Sequence, residues 1–244
     1  MKRVLIVIGG TEFPEEEVSA EKKFLISLAQ SALYILAADG GAKILLAAGI
    51  IPHKVIGDLD SLTPETLEQL RRAEVPLISY PAKKAKSDLH LALEEAFSLK
   101  PEEVWIYGGR AVLMKRKDTG NDYDLFRPDH FLINVNLLLL GKKKGGKIRW
   151  FPDRRTELFL AGKVERITAS PWDIVSLIPL SFSVSGITLD GFLYPLEEET
   201  LFKADSRGLS NQLVLGKGII KKDRGDLLVC VIKKGIPENF GKIK

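Results

Sequence analysis

Over roughly its first 150 residues the chain alternates short apolar runs with stretches of helical period, and most runs stop at glycine or aspartate. Strands separated by helices return parallel to one another, and a parallel sheet has to be covered on both faces. The alternation therefore predicts a three-layer α/β domain. Strands are expected at Val4 to Ile8, Leu33 to Ala38, Val55-Ile56, Leu77 to Tyr80 and Val104 to Tyr107. Helices are expected from about Glu16 to Ser31, around Ile44, Leu45 and Ala48, after Thr63-Pro64-Glu65, and from Asp88 to Phe97. Thr63 supplies a capping hydroxyl and Pro64 suits the first helical turn. The polar stretch from Ala111 to Pro128 reads as a long irregular loop, and Phe131 to Leu140 as one apolar helix.

Past the Gly141 to Gly146 turn the helical period disappears. Short apolar runs (Ile174 to Pro179, Leu213 to Leu215, Leu227 to Ile232) sit between turn signals such as Ser185-Gly186 and Asp190-Gly191. The fold class expected is α/β, with a parallel-sheet domain over residues 1–147 followed by a smaller all-β sandwich over 148–244.

Composition excludes several classes. With 45% hydrophobic residues the chain can build a sizeable core, and mixed-sign charges at 28% argue against disorder. The net charge of +4 is spread over many positions, and no platform of aromatic and basic residues appears, so nucleic acid is not an expected partner. The N-terminal apolar run is too short for a signal peptide, and no run reaches the ~18 residues that a membrane span needs. The one cysteine, Cys230, lies in an apolar run and reads as a buried thiol in a strand, in a protein of the reducing cytoplasm. His53, His90 and His130 lack zinc-ligand spacing. Neither a nucleophile elbow nor a Walker-type phosphate loop occurs.

What remains is a set of acids where an open α/β sheet binds ligands, at strand ends and helix starts. Asp58 and Asp60 are two apart, so in an extended segment both carboxylates face one hard cation such as magnesium; a turn carrying helix-capping acids has the same pattern. Asp88 after Ser87 opens a helix, where an acid also gains from the helix dipole. In Asp39-Gly40-Gly41 the glycines let backbone N–H groups approach a phosphate, or simply make a tight turn.

Together these segments resemble the thiamine pyrophosphokinase family. Ala38-Asp39-Gly40-Gly41-Ala42, Gly57-Asp58-Leu59-Asp60-Ser61, Lys84-Ala85-Lys86-Ser87-Asp88, Gly108-Gly109-Arg110 and Leu209-Ser210-Asn211-Gln212 follow the family's motifs in order. The resemblance implies an α/β nucleotide-binding domain and a thiamine-binding β-sandwich, with active sites shared across a homodimer. It implies Mg·ATP as donor and transfer of a diphosphate to the thiamine hydroxyl, with release of AMP. It places magnesium on Asp58, Asp60 and Asp88, and the nucleotide beside Asp39, Gly40, Gly41 and Lys84. It lines the active site with Asp129, His130 and either Arg110 or Arg127, and brings Ser210 and Asn211 to thiamine. Three features depart from the family: Ala85 in place of an aspartate, Gln212 in place of a glutamate, and an insertion over about 111–126. They keep a diphosphokinase for another alcohol, such as 6-hydroxymethyl-pterin, and a non-catalytic nucleotide- or thiamine-binding relative as alternatives.

Overall fold

The computed structural model describes residues 2–10, 15–81, 83, 85–110, 113–115, 124–126, 128–171 and 173–234. The chain divides into two compact units, Met1–Arg154 and Arg155–Lys244.

The first unit begins with β1 (Arg3–Ile8), α1 (Glu15–Gln30), β2 (Tyr34–Ala38), α2 (Gly41–Ala47) and β3 (Lys54–Gly57). It continues through α3 (Pro64–Arg72), β4 (Leu77–Ser79), α4 (Asp88–Ser98), β5 (Glu103–Tyr107), β6 (Leu113–Lys115) and β7 (Asp124–Phe126). It closes with α5 (Pro128–Leu137), α6 (Leu139–Lys144) and β8 (Lys147–Asp153). The strand order β8-β5-β1-β2-β3-β4 is parallel throughout. Val4 to Ile8 are almost wholly buried, as a central strand covered on both faces requires. Around them pack Leu25 and Leu28 of α1, Leu45 of α2 and Leu70 of α3. Helix starts follow local chemistry: Thr63 Oγ1 accepts from Thr66 N, and Ser87 Oγ from His90 N.

Register brings the strand ends level. Ile8 pairs with Ala38, Ala38 with Ile56, and Val7 with Tyr107. Gly9, Asp39 and Gly108 therefore leave the sheet together at its carboxyl edge, beside Gly57, the last residue of β3. The chain order reverses between β1 and β5, the switch point at which such sheets open a crevice.

Two details differ from the expectation. Within the stretch read as an irregular loop, β6 and β7 form an antiparallel ribbon, with Leu113 opposite Phe126 and Lys115 opposite Asp124. Apolar runs this short show no measurable alternation. The single helix expected from Phe131 to Leu140 is two, α5 and α6, with Leu138 between them.

The second unit is all antiparallel. Its strands are β9 (Thr156–Leu160), β10 (Val164–Thr168), β11 (Ile174–Pro179), β12 (Ser183–Asp190), β13 (Leu196–Phe202), β14 (Lys217–Lys221) and β15 (Leu227–Ile232). They follow the orders β11-β15-β9 and β10-β14-β12-β13. Val175, Leu177, Val184, Ile187, Leu201, Ile220, Val229 and Val231 fill the core of this unit. Cys230 lies in β15, half-buried rather than buried. Among the described residues no helix is long and apolar enough to cross a membrane.

Candidate active site

Asp39 leaves β2 with φ of +43°, and its N–H donates to Ile56 O at 2.9 Å. This turn packs directly on Gly57, where an added Cβ would stand 2.9 Å from the Asp39 Cβ. The glycine is what lets the ends of β2 and β3 close on each other. Beyond it Leu59 takes φ of +65°, an uncommon conformation for a leucine, while its side chain packs on the core. The Asp58 to Asp60 segment is thus a turn and not an extended strand. Its two carboxylates converge because Leu59 reverses the backbone, not because they alternate.

Carboxylate oxygens of Asp39, Asp58 and Asp60 lie within 4.8 Å of one another. The Ser61 hydroxyl donates to Asp39 Oδ2 and lies 3.5 Å from Asp60 Oδ1. Asp39 Oδ1 is enclosed and has no hydrogen-bond partner among the described residues. Desolvation pushes the Asp60 carboxyl up, and the neighbouring Asp58 and Asp39 push it the same way. Three crowded acids, one with an unmatched enclosed oxygen, are unfavourable in isolation and suit a hard divalent cation. Sequence reasoning set Asp39 apart from the metal and gave Ser61 no role; the spacing of 22 residues between them carries no signal for their contact.

The other residues singled out from the sequence are placed as follows. Asp88 is the first residue of α4, half-buried, and is not one of the three converging acids. Lys84 and Arg127 lie outside the described residues. Gly40 and Gly41 open α2. Asp129 and His130 occupy the first turn of α5, one exposed and the other half-buried. Arg110 follows Gly108 and Gly109, both at positive φ, and pairs with Asp153 at 3.8 Å. Asn134 of α5, unmarked in the sequence, is buried against Gly109.

Behind β5 lies a buried polar cluster that sequence periodicity does not foretell. Glu21 of α1 is 2% exposed and accepts from the Tyr107 hydroxyl at 2.8 Å and from Arg154 N at 3.0 Å. Burial pushes the Glu21 carboxyl up against the lowering effect of these bonds, and pushes the Tyr107 hydroxyl up as well.

In the second unit Ser210 is exposed at φ of +58°, its N–H donating to Ser176 Oγ. Asn211 is buried, and its amide clamps backbone. Oδ1 accepts from Tyr194 N at 3.0 Å and Gln212 N at 2.9 Å, while Nδ2 donates to Tyr194 O at 2.7 Å. Asn211→Ala would leave three backbone groups without these bonds. It is expected to destabilise the protein by about 2–3 kcal/mol, read as a lower urea midpoint.

The comparisons with known proteins agree with this architecture. Residues 25–119 match the model of the thiamin pyrophosphokinase catalytic domain, and residues 165–225 that of the thiamin pyrophosphokinase vitamin B1 binding domain. The thiamine pyrophosphokinase of Bacillus subtilis is 32% identical over 192 residues, covering 78% of this chain and 83% of that protein. The chain belongs to the thiamine pyrophosphokinase family. The crystal structure of a thiamine pyrophosphokinase from Bacillus subtilis superposes with a TM-score of 0.77 at 27% identity, over 96% of this chain and 100% of that one. A thiamin pyrophosphokinase from Geobacillus thermodenitrificans gives 0.72 at 27% identity, over 96% and 98%. The α/β domain followed by an all-β unit is thus the family's architecture. Asp39, Asp58 and Asp60 stand within the segment matched by the catalytic-domain model, and Ser210 and Asn211 within that matched by the vitamin B1 binding model.

Proposed function

We propose that this enzyme transfers the diphosphate group of Mg·ATP to the hydroxyl of thiamine, giving thiamine diphosphate and AMP. The observation that carries the donor half is the convergence of Asp39, Asp58 and Asp60 at the carboxyl edge of the sheet. The match of residues 165–225 to a vitamin B1 binding domain favours thiamine over a pterin alcohol, and the match of residues 25–119 to the catalytic domain favours an enzyme over a non-catalytic relative.

Asp39, Asp58 and Asp60 would hold the magnesium, with Asp88 on α4 as a further oxygen ligand. Bound there, the cation would neutralise charge on the transferring phosphates. Gly40 and Gly41 would pass close to the nucleotide, and Lys84 with Arg110 or Arg127 would take phosphate oxygens. Asp129 and His130 would complete the donor site, and Ser210 would meet thiamine on the β unit. Asn211 contributes by holding the chain around Tyr194. Attack by the thiamine oxygen on the β-phosphorus expels AMP; such transfers depend on charge neutralisation and in-line placement more than on a strong base. The enzyme is further proposed to act in the cytoplasm as a homodimer, with the exposed Phe182, Tyr194, Phe202 and Leu215 of the β unit available for a subunit contact.

The test is to incubate the protein with ATP, magnesium and thiamine, and separately with 6-hydroxymethyl-pterin, and identify the products by mass. Thiamine diphosphate and AMP are expected in equal amounts. ADP as the nucleotide product, or diphosphorylation of the pterin alone, would overturn the proposal.

A further inference from the structure

The end of β5 is fixed by β8 to a degree that turn geometry alone does not require. Gly108 N donates to Phe151 O at 3.0 Å, and the buried Trp150 Nε1 donates to Gly108 O at 2.7 Å. Both polar groups of the residue two before Arg110 are therefore satisfied by β8. Gly109, at φ of +71°, packs on the side chains of Ile8 and Asn134, and an added Cβ would overlap the Ile8 Cδ1. The backbone that presents Arg110 is held from both sides, at the switch point between β1 and β5.

The same strand ends in Asp153, whose Oδ2 lies 3.8 Å from Arg110 Nε. The two partners differ in freedom: the Asp153 side chain is 13% exposed, that of Arg110 47%. The acid is thus the anchored member and the guanidinium the reaching one. The neighbouring acid Glu21 has its own cation, with Arg154 Nε at 3.4 Å. An anchor at Nε is the one that leaves both terminal amino groups of an arginine able to fork onto phosphate oxygens.

We propose that Asp153 is a positioning residue for Arg110, and that Arg110 so held is the cation that receives the donor's phosphates. This rests on the donor site proposed above. A half-exposed ion pair adds little to stability, so the role of Asp153 would show in catalysis: it fixes the direction of a side chain that otherwise samples many rotamers.

The test is a cycle of Asp153→Asn, Arg110→Ala and the double variant, with ATP varied at saturating thiamine and thiamine varied at saturating ATP. Asp153→Asn is expected to lower kcat/KM for ATP about tenfold, the effect of a phosphate-binding guanidinium that is no longer held in one direction, and to leave the KM for thiamine unchanged. In the Arg110→Ala background the same change should cost nothing further, and Asp153→Glu should keep most of the wild-type value. An equal loss in both backgrounds would mean that Asp153 acts through the fold and not through Arg110, and would overturn the inference; so would an unaffected Asp153→Asn enzyme. If the wild-type protein forms no thiamine diphosphate and AMP, the donor site itself is wrong and this inference falls with it.

Discussion

Asn in place of Asp58 or Asp60 is expected to cut turnover by roughly two to three orders of magnitude, the loss typical when a group that stabilises transition-state charge is removed. The same loss is expected for Asp39→Asn, because the structure sets its carboxylate against the other two. None of the three changes should unfold the protein. The acids repel one another, and Asp60 in particular has its carboxyl pushed up by desolvation and by Asp58. Removing one charge therefore relieves strain in the absence of metal. Magnesium should raise the thermal midpoint of the wild-type protein, since a ligand that binds only the folded state stabilises it by mass action, and should raise it much less in each variant. Saturation kinetics in magnesium and melting with and without the ion would check both parts. Near-normal turnover in the Asp58 or Asp60 variant would remove the metal assignment.

The alternation of apolar runs with helical stretches was enough to read the parallel layer, since the runs from Val4 to Tyr107 end where glycine or aspartate stops a strand, or at Pro81 in the case of β4. The acids at those ends were legible for the same reason: open sheets bind ligands there. Three-dimensional closure was not. That Asp39 meets Asp58 depends on Gly57 clearing the space between β2 and β3, and on Leu59 accepting a positive φ that its residue type does not announce. Leu59 tolerates that conformation because its side chain is held by the core, a tertiary effect outside any local pattern. The clamp of Asn211 on Tyr194 spans 17 residues and joins two loops, so no period marks it. The ribbon of β6 and β7 escaped for a different reason: three-residue strands are shorter than the window in which alternation can be measured.

Gly41→Ala is expected to destabilise the first unit by about 3 kcal/mol, the upper range for overpacking a buried site, and Gly40→Ala by less than about 0.5 kcal/mol. Adjacent glycines in one turn thus separate two reasons for having a glycine. Gly41 opens α2 with its Cα against β1: an added Cβ would overlap the Val7 carbonyl oxygen and stand 2.5 Å from its carbon. These are backbone atoms of the central strand, paired on both sides, so α2 would have to lift away and expose Ala42 and Leu45. Helix propensity favours alanine over glycine by at most about 1 kcal/mol and cannot reverse the sign. At Gly40 the nearest atoms to an added Cβ are the Gly9 Cα at 3.6 Å and the Ser61 Cβ at 3.7 Å, ordinary contacts, and φ is −54°. Packing gives no reason for glycine there; the nucleotide approach proposed above would supply one, beyond the mild N-cap preference for glycine over alanine. Gly40→Ala should therefore melt like the wild type yet show a raised KM for ATP, whereas Gly41→Ala should lose folded protein before any kinetic effect can be read. Unchanged ATP kinetics in the Gly40 variant would take this turn out of the donor site.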